Sequence, residues 1–231
     1  MGRGSSKAGG GSGGGTMVVT QVMDDDGSMI DLASMPLTYG PKDAALTGNA
    51  RKSIEAFEDR RYKFKSEYGY AVDANGNLIG KEIHGGRGSV RMPFSIMAQA
   101  QAFSHNHPRG KGEAGTLGGT FSGDDLRTFE ARSNIKTFRA TAKEGTYSIS
   151  KGSNFNGKGF TSMVSSIERK HMGQLKAQNR ALYSDAINKR ITAKEYYSKC
   201  TANFNQALIN IHNDLLANQK QYGYTYTLER R

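Results

Sequence analysis

Cysteine is almost absent from this chain: Cys200 is the only one among 231 residues. A single thiol excludes an intrachain disulfide and any cysteine-built zinc site, and it fits a reducing compartment. Cys200 lies on an apolar helical stripe, where a small buried hydrophobe is expected rather than a reactive thiol. Long apolar runs are missing too. No stretch reaches the roughly 18 apolar residues read as a membrane span, and the N-terminus has no apolar segment of the signal-peptide kind. Together these absences predict a cytoplasmic protein. Hydrophobic residues make up only 36% of the chain, and the deficit is uneven. Residues 1–16 contain eight Gly and three Ser, too little apolar surface to offset the entropy of ordering them, so a disordered arm is expected there.

Beyond that arm, the pattern reads as four regions. Residues 17–43 form an N-terminal extension, with a short apolar run at 17–22, the acidic Asp24–Asp26 cluster and turn-forming residues; a strand or irregular segment packing on the domain edge is expected. Residues 44–155 read as an α/β domain. A helix is predicted over Ala44–Tyr62, with Ile54 and Phe57 on one face. A hairpin is predicted around Asp73-Ala74-Asn75-Gly76, where Asn-Gly is a strong turn signal. Strands are predicted at Lys136–Ala142 and Thr146–Ser150. Residues 156–222 carry two stripes, Phe160, Val164, Ile167, His171, Leu175 and Leu182, then Tyr197, Cys200, Phe204, Leu208, Ile211 and Leu215, at helical spacing. They predict a helical hairpin that breaks near Ile191-Thr192, with Thr192 and Glu195 as a capping box. Residues 223–231 read as a C-terminal strand or tail, since Gly223 ends the helix and Tyr224, Tyr226 and Leu228 alternate.

The residues that carry chemistry are His105-Asn106-His107-Pro108 and Ser122-Gly123-Asp124-Asp125. In a strand, residues i and i+2 point to the same side, so His105 and His107 at a strand end over Ala102–His105 converge on one point. Pro108 has no N–H and stops the ladder. Ser122 suits a helix N-cap, which puts Asp125 in the first helical turn, ahead of Leu126, Phe129 and Ile135. Two imidazoles and one carboxylate are a ligand set for a catalytic zinc, whose fourth position is kept for water. Each half alone also has an ordinary reading, as a loop His pair and as a helix cap.

The two halves in this order resemble the His-x-His-Pro…Ser-x-x-Asp motif of the JAB/MPN (JAMM) zinc metallopeptidases, closest to the bacterial and phage branch with His-Asn-His-Pro. The resemblance covers roughly Ala50–Ser150. It implies a JAB/MPN-like (cytidine-deaminase-like) α/β fold with a mixed sheet and flanking helices, extended here by the C-terminal hairpin. It also implies Zn2+ on His105, His107 and Asp125, a general acid/base at Glu67, which opens Glu-Tyr-Gly-Tyr-Ala-Val, and Ser122 polarising the substrate carbonyl or its oxyanion. Glu82, on the far arm of the hairpin, is the second acid/base candidate. One departure stands out: His107 and Asp125 are eighteen positions apart, longer than is usual in the family, so residues 109–120 read as an inserted, Gly-rich loop.

The activity implied is zinc-dependent hydrolysis of a peptide or isopeptide bond, in a phage- or mobile-element-encoded protein whose substrate is a polypeptide, such as a ubiquitin-like modifier or a phage protein. A non-enzymatic structural or interaction protein of a virion, keeping the metal fold as a scaffold, and a RadC-like DNA-associated protein are the alternatives. Charge bears on the last. Residues 151–231 hold 13 Lys or Arg against 5 Asp or Glu, whereas residues 1–150 hold 19 against 16. The basic hairpin therefore suits nucleic acid or an acidic partner, although solvated helix faces carry such charge without one.

Overall fold

The computed structural model describes residues 21–23, 29–31, 36–108 and 116–230. The residues predicted as a disordered arm, residues 17–20, the Asp24–Asp26 cluster and the first part of the inserted loop lie outside that set.

Strands β1 (Gln21–Met23) and β2 (Met29–Asp31) pair with each other as a separate antiparallel ribbon. The main sheet contains β3 (Tyr68–Val72), β4 (Ile83–His84), β5 (Ala102–Asn106), β6 (Thr137–Ala142), β7 (Gly145–Lys151) and β8 (Tyr224–Glu229), in the order β4-β3-β5-β6-β7-β8. Only β5 and β6 run parallel; every other neighbouring pair is antiparallel. The helices are α1 (Gly48–Arg61), α2 (Phe94–Met97), α3 (Gly123–Ala131), α4 (Gly157–Ile187) and α5 (Ala193–Tyr222). The protein is thus mixed α/β, with a mixed sheet flanked by helices.

Several local expectations meet the structure in detail. Ser122 caps α3 in a reciprocal capping box with Asp125, and Thr192 caps α5 in the same way with Glu195. Gly223 ends α5 in the left-handed conformation, φ 69°. Two boundaries differ. Helix α1 starts at Gly48, not at Ala44, because Asp43 captures the preceding segment: its carboxylate accepts from Ala45 N, Ser148 Oγ and Ser150 Oγ. The predicted hairpin turns at Asp73–Asn77, but its far arm keeps only a bridge between Val72 and Leu78 before it leaves the sheet and returns as the short β4. No helix among the described residues is long and apolar enough to cross a membrane.

Strand parity divides the sheet into two unlike faces. Phe103, His105, Phe138, Ala140, Tyr147, Ile149, Tyr226 and Leu228 share one face, by the register of the ladders. On it pack Leu126 and Phe129 of α3, Phe160, Val164 and Ile167 of α4, and Ile211 and Leu215 of α5, in one continuous core. The helical hairpin is therefore anchored in the same core as the sheet. Its helices, at 31 and 30 residues, each run about 45 Å, and the far end exposes Tyr183, Ile187 and Tyr197.

The opposite face carries Ser104, Thr137, Arg139, Thr141, Thr146, Ser148, Ser150 and Glu229, all buried. A polar strand face normally meets water, and these residues are instead covered by α1 and the segment leading into it. What makes this tolerable is mutual satisfaction. Arg139 donates to both oxygens of Glu58 at 2.8 and 3.0 Å and to both oxygens of Glu229 at 2.9 and 3.0 Å. Burial opposes the guanidinium charge, yet the two carboxylates hold its proton more firmly than in an ordinary arginine. Truncating one member strands the others without water. Arg139→Met is therefore expected to lower unfolding free energy by about 3 to 5 kcal/mol in urea denaturation. A loss under about 1 kcal/mol would show that the two carboxylates do not need their cation.

Candidate metal centre

The pairing of β3 with β5 sets Gly69 opposite His105 and, two residues further out along each chain, Glu67 beside His107. All share one parity, so Glu67, His105 and His107 come to the same sheet face. Glu67 immediately precedes β3 and His107 immediately follows β5. Asn106, the residue between the two histidines, shows why this edge holds its shape. Its side-chain amide accepts from Tyr68 N at 2.6 Å and donates to Ser66 O at 3.0 Å. It therefore pins the backbone on both sides of Glu67, where the ladder is about to end at Pro108.

Helix α3 brings Asp125 over this face. Its first turn can approach α4 closely because residue 123 is glycine: a Cβ there would meet the Glu168 carboxylate. The cap then fixes Asp125 itself, since Asp125 Oδ2 accepts from Ser122 N at 2.8 Å and from Ser122 Oγ at 2.7 Å. Ser122 is thus engaged with a ligand candidate, positioning it, and the residue also lines the neighbouring cavities.

His105, His107 and Asp125 come together as one group of possible ligands. The two Nε2 atoms stand 3.1 Å apart, His105 Nε2 lies 3.5 Å from Asp125 Oδ1, and His107 Nε2 lies 3.8 Å from Asp125 Oδ2. A tetrahedral zinc with bonds of roughly 2.0 to 2.2 Å has donor–donor edges of about 3.3 to 3.6 Å, a range that these spacings bracket, with shifts of a few tenths of an ångström needed to meet it. The tautomer of His107 points the same way. His107 Nδ1 is 2.9 Å from the carbonyl of Gly119 and must donate to it, so the neutral ring has its lone pair on Nε2. The ring of His105 is held by packing against Phe103 and Phe138, and its Nδ1 is buried with no partner among the described residues. Two facing imidazole nitrogens 3.1 Å apart need a proton or a cation between them, and a carboxylate on the third side favours either.

Charge coupling runs through the whole cluster. Burial opposes ionisation of Asp125, but the two imidazoles, by charge and hydrogen bonding, hold its carboxyl well below the usual range. Burial likewise opposes a charged His107, and Asp125 overrides it, raising the imidazole pKa. Glu67 shifts the other way: burial pushes its carboxyl up, aided by Asp125 and resisted by the histidines. Glu82 is placed elsewhere. Its carboxylate binds Arg60 at 2.6 Å and Arg61 at 2.5 and 2.8 Å, tying the sheet edge to the end of α1.

One residue with no sequence signal supports the centre from behind. Glu144, in the β6–β7 turn, accepts from Gly118 N at 3.0 Å, Gly119 N at 2.6 Å and Tyr147 Oη at 3.0 Å. It thereby fixes the peptide whose carbonyl orients His107, an outer-shell arrangement of the kind that tunes metal affinity. The end of the predicted inserted loop, Thr116–Thr120, is anchored in consequence, and Leu117 N also donates to Asn205 of α5 at 2.8 Å. Glu144→Gln replaces one acceptor oxygen by an amide that faces backbone N–H groups. Zinc affinity, measured by competition with a chromogenic chelator, is expected to fall about 10- to 100-fold with the fold retained. Unchanged affinity would remove Glu144 from the support of the centre.

Two concavities meet at this cluster. One, of about 560 Å³, is bordered by Val90, Met92, His105, Asp125 and Arg132; the other, of about 340 Å³, lies towards the helical hairpin; Glu67, His107 and Ser122 line both. No family model, curated protein or solved structure matches the chain.

Proposed function

We propose that this chain is a zinc-dependent hydrolase that cleaves a peptide or isopeptide bond, with a JAB/MPN-like arrangement of its sheet and flanking helices. The observation that carries this reading is the convergence of two imidazole Nε2 atoms and one carboxylate, at donor spacings of 3.1 to 3.8 Å, in a concavity that also contains Glu67. Three protein donors are the number found where zinc keeps a position for water, whereas structural zinc sites are closed by four. The His-Asn-His-Pro and Ser-Gly-Asp-Asp motifs support the same assignment.

In this reading His105, His107 and Asp125 hold Zn2+, and the ion when bound supplies an acidified water, with a pKa lowered from about 15.7 to about 7. The rest is the work of the chain. His107 presents Nε2 because Gly119 occupies its other nitrogen, and Asp125 is held in place by Ser122. Glu67 takes a proton from the attacking water and delivers it to the departing amine nitrogen. Its burial keeps that carboxylate from strong hydration, and Asn106 keeps the backbone around it in register. Ser122 lines both concavities, and in this reading its hydroxyl turns its one proton from Asp125 Oδ2 to the carbonyl oxygen as negative charge develops there.

Glu67→Gln separates holding the metal from moving the proton. The variant is expected to bind zinc in the same 1:1 ratio as the wild type and to cleave unfolded casein, or an isopeptide-linked conjugate, about 10²- to 10⁴-fold more slowly. Turnover within a few-fold of wild type would exclude Glu67 as the acid/base. Failure of the purified wild type to take up zinc would exclude the metal assignment itself.

A further inference from the structure

The smaller concavity differs in chemistry from its neighbour. Apart from the shared residues Glu67, His107 and Ser122, its walls are mainly apolar: Leu126 from α3, Val164, Ile167 and Met172 from α4, and Phe204 and Leu208 from α5. The hairpin, which would otherwise be an appendage, thus forms one side of a recess that opens on the candidate metal centre. Met172, Phe204 and Leu208 are only partly buried, so the recess is lined by apolar surface available to a ligand. At about 340 Å³ it sits at the low end of ligand-binding cavities, a size for one or two side chains and not for a folded domain. The other concavity is more polar, bordered by Arg91, Arg132 and Asp124 as well as by Val90 and Met92.

The geometry points to a specificity subsite: the recess takes one large apolar side chain of a polypeptide substrate, next to the bond that lies over the His105–His107–Asp125 cluster. This inference rests on the hydrolase reading for the words "next to the bond", while the binding preference stands on the recess alone. The occupant follows from continuity. An extended chain crossing the shared residues Glu67, His107 and Ser122 must send one flank over the apolar recess and the other over the polar concavity. A Phe or Leu on the first flank removes its own apolar surface and that of Phe204 and Leu208 from water, the dominant source of affinity for such groups.

The test uses the full-length, zinc-loaded Glu67→Gln protein and fluorescein-labelled decapeptides that carry a single Phe in an otherwise Ala/Ser sequence, against an all-Ala/Ser match, read by fluorescence anisotropy. The Phe peptide is expected to bind at least about tenfold more tightly. In Leu208→Gln and in Phe204→Gln, each made in the same background and checked for folding by circular dichroism, that ratio is expected to fall to about twofold. Equal binding of the two peptides, or an undiminished ratio in both folded variants, would overturn the subsite. The hydrolase reading is scored separately with wild-type protein. Phe preference with an intact peptide after incubation supports the recess as a binding site and counts against hydrolysis. Cleavage with no Phe preference does the reverse.

Discussion

A single hydrogen bond, from His107 Nδ1 to the carbonyl of Gly119, decides which imidazole nitrogen faces the candidate centre, and much of the surrounding structure serves to hold that carbonyl in place. Gly118 and Gly119 hang by their N–H groups from the Glu144 carboxylate. Leu117 is tied to Asn205 and packs on Ile209 of α5. Were the carbonyl to turn away, Nδ1 and Nε2 would become equivalent proton carriers, and the lone pair opposite His105 would no longer be specified. The route from the turn after β6 to the imidazole is short and rigid, which is how a ligand ring keeps both its tautomer and its angle.

The same strands that build the centre also build a second buried polar system behind it. Along β5, Phe103 and His105 face α3, while Ser104 faces α1 and donates to Glu58 at 2.7 Å. Glu58 in turn shares Arg139 with Glu229. The sheet is therefore clamped from behind by charges that require one another, and in front by aromatic packing around His105. A site whose donors must keep spacings within a few tenths of an ångström benefits from such a backing, because β5 cannot shift register without exchanging its two faces.

What was legible in the sequence was local. The His-x-His parity, the Ser122–Asp125 cap, the Thr192–Glu195 cap and the Gly223 stop are all encoded within four residues, and each has the predicted geometry. Strands β6 and β7 were equally plain, from alternation around a tight turn. What escaped was set by pairings across the chain. Thr137, Arg139 and Thr141 alternate with apolar residues as a solvent-facing strand would, and only the distant Glu58 and Glu229 make their burial tolerable. Glu144 reads as an ordinary turn residue until the loop ending at Thr120 folds onto it. The amide of Asn106 bonds the backbone on both sides of Glu67, which nothing in the His-x-His spacing signals. That Glu67 and not Glu82 lies beside His107 follows from the register of β3 on β5, which no periodicity supplies. The hairpin was visible as two amphipathic helices, but its share in the walls of the recess depends on where α3 and α4 meet, at Gly123 and Glu168.

The central claim is that two imidazoles and one carboxylate hold zinc with a position left for water. X-ray absorption at the zinc edge of the reconstituted protein tests it most directly. The account predicts a four-coordinate first shell of nitrogen and oxygen at about 2.0 to 2.1 Å, with the outer scattering of two imidazoles and no sulfur. A sulfur shell, a six-oxygen environment or a spectrum with no imidazole contribution would contradict it.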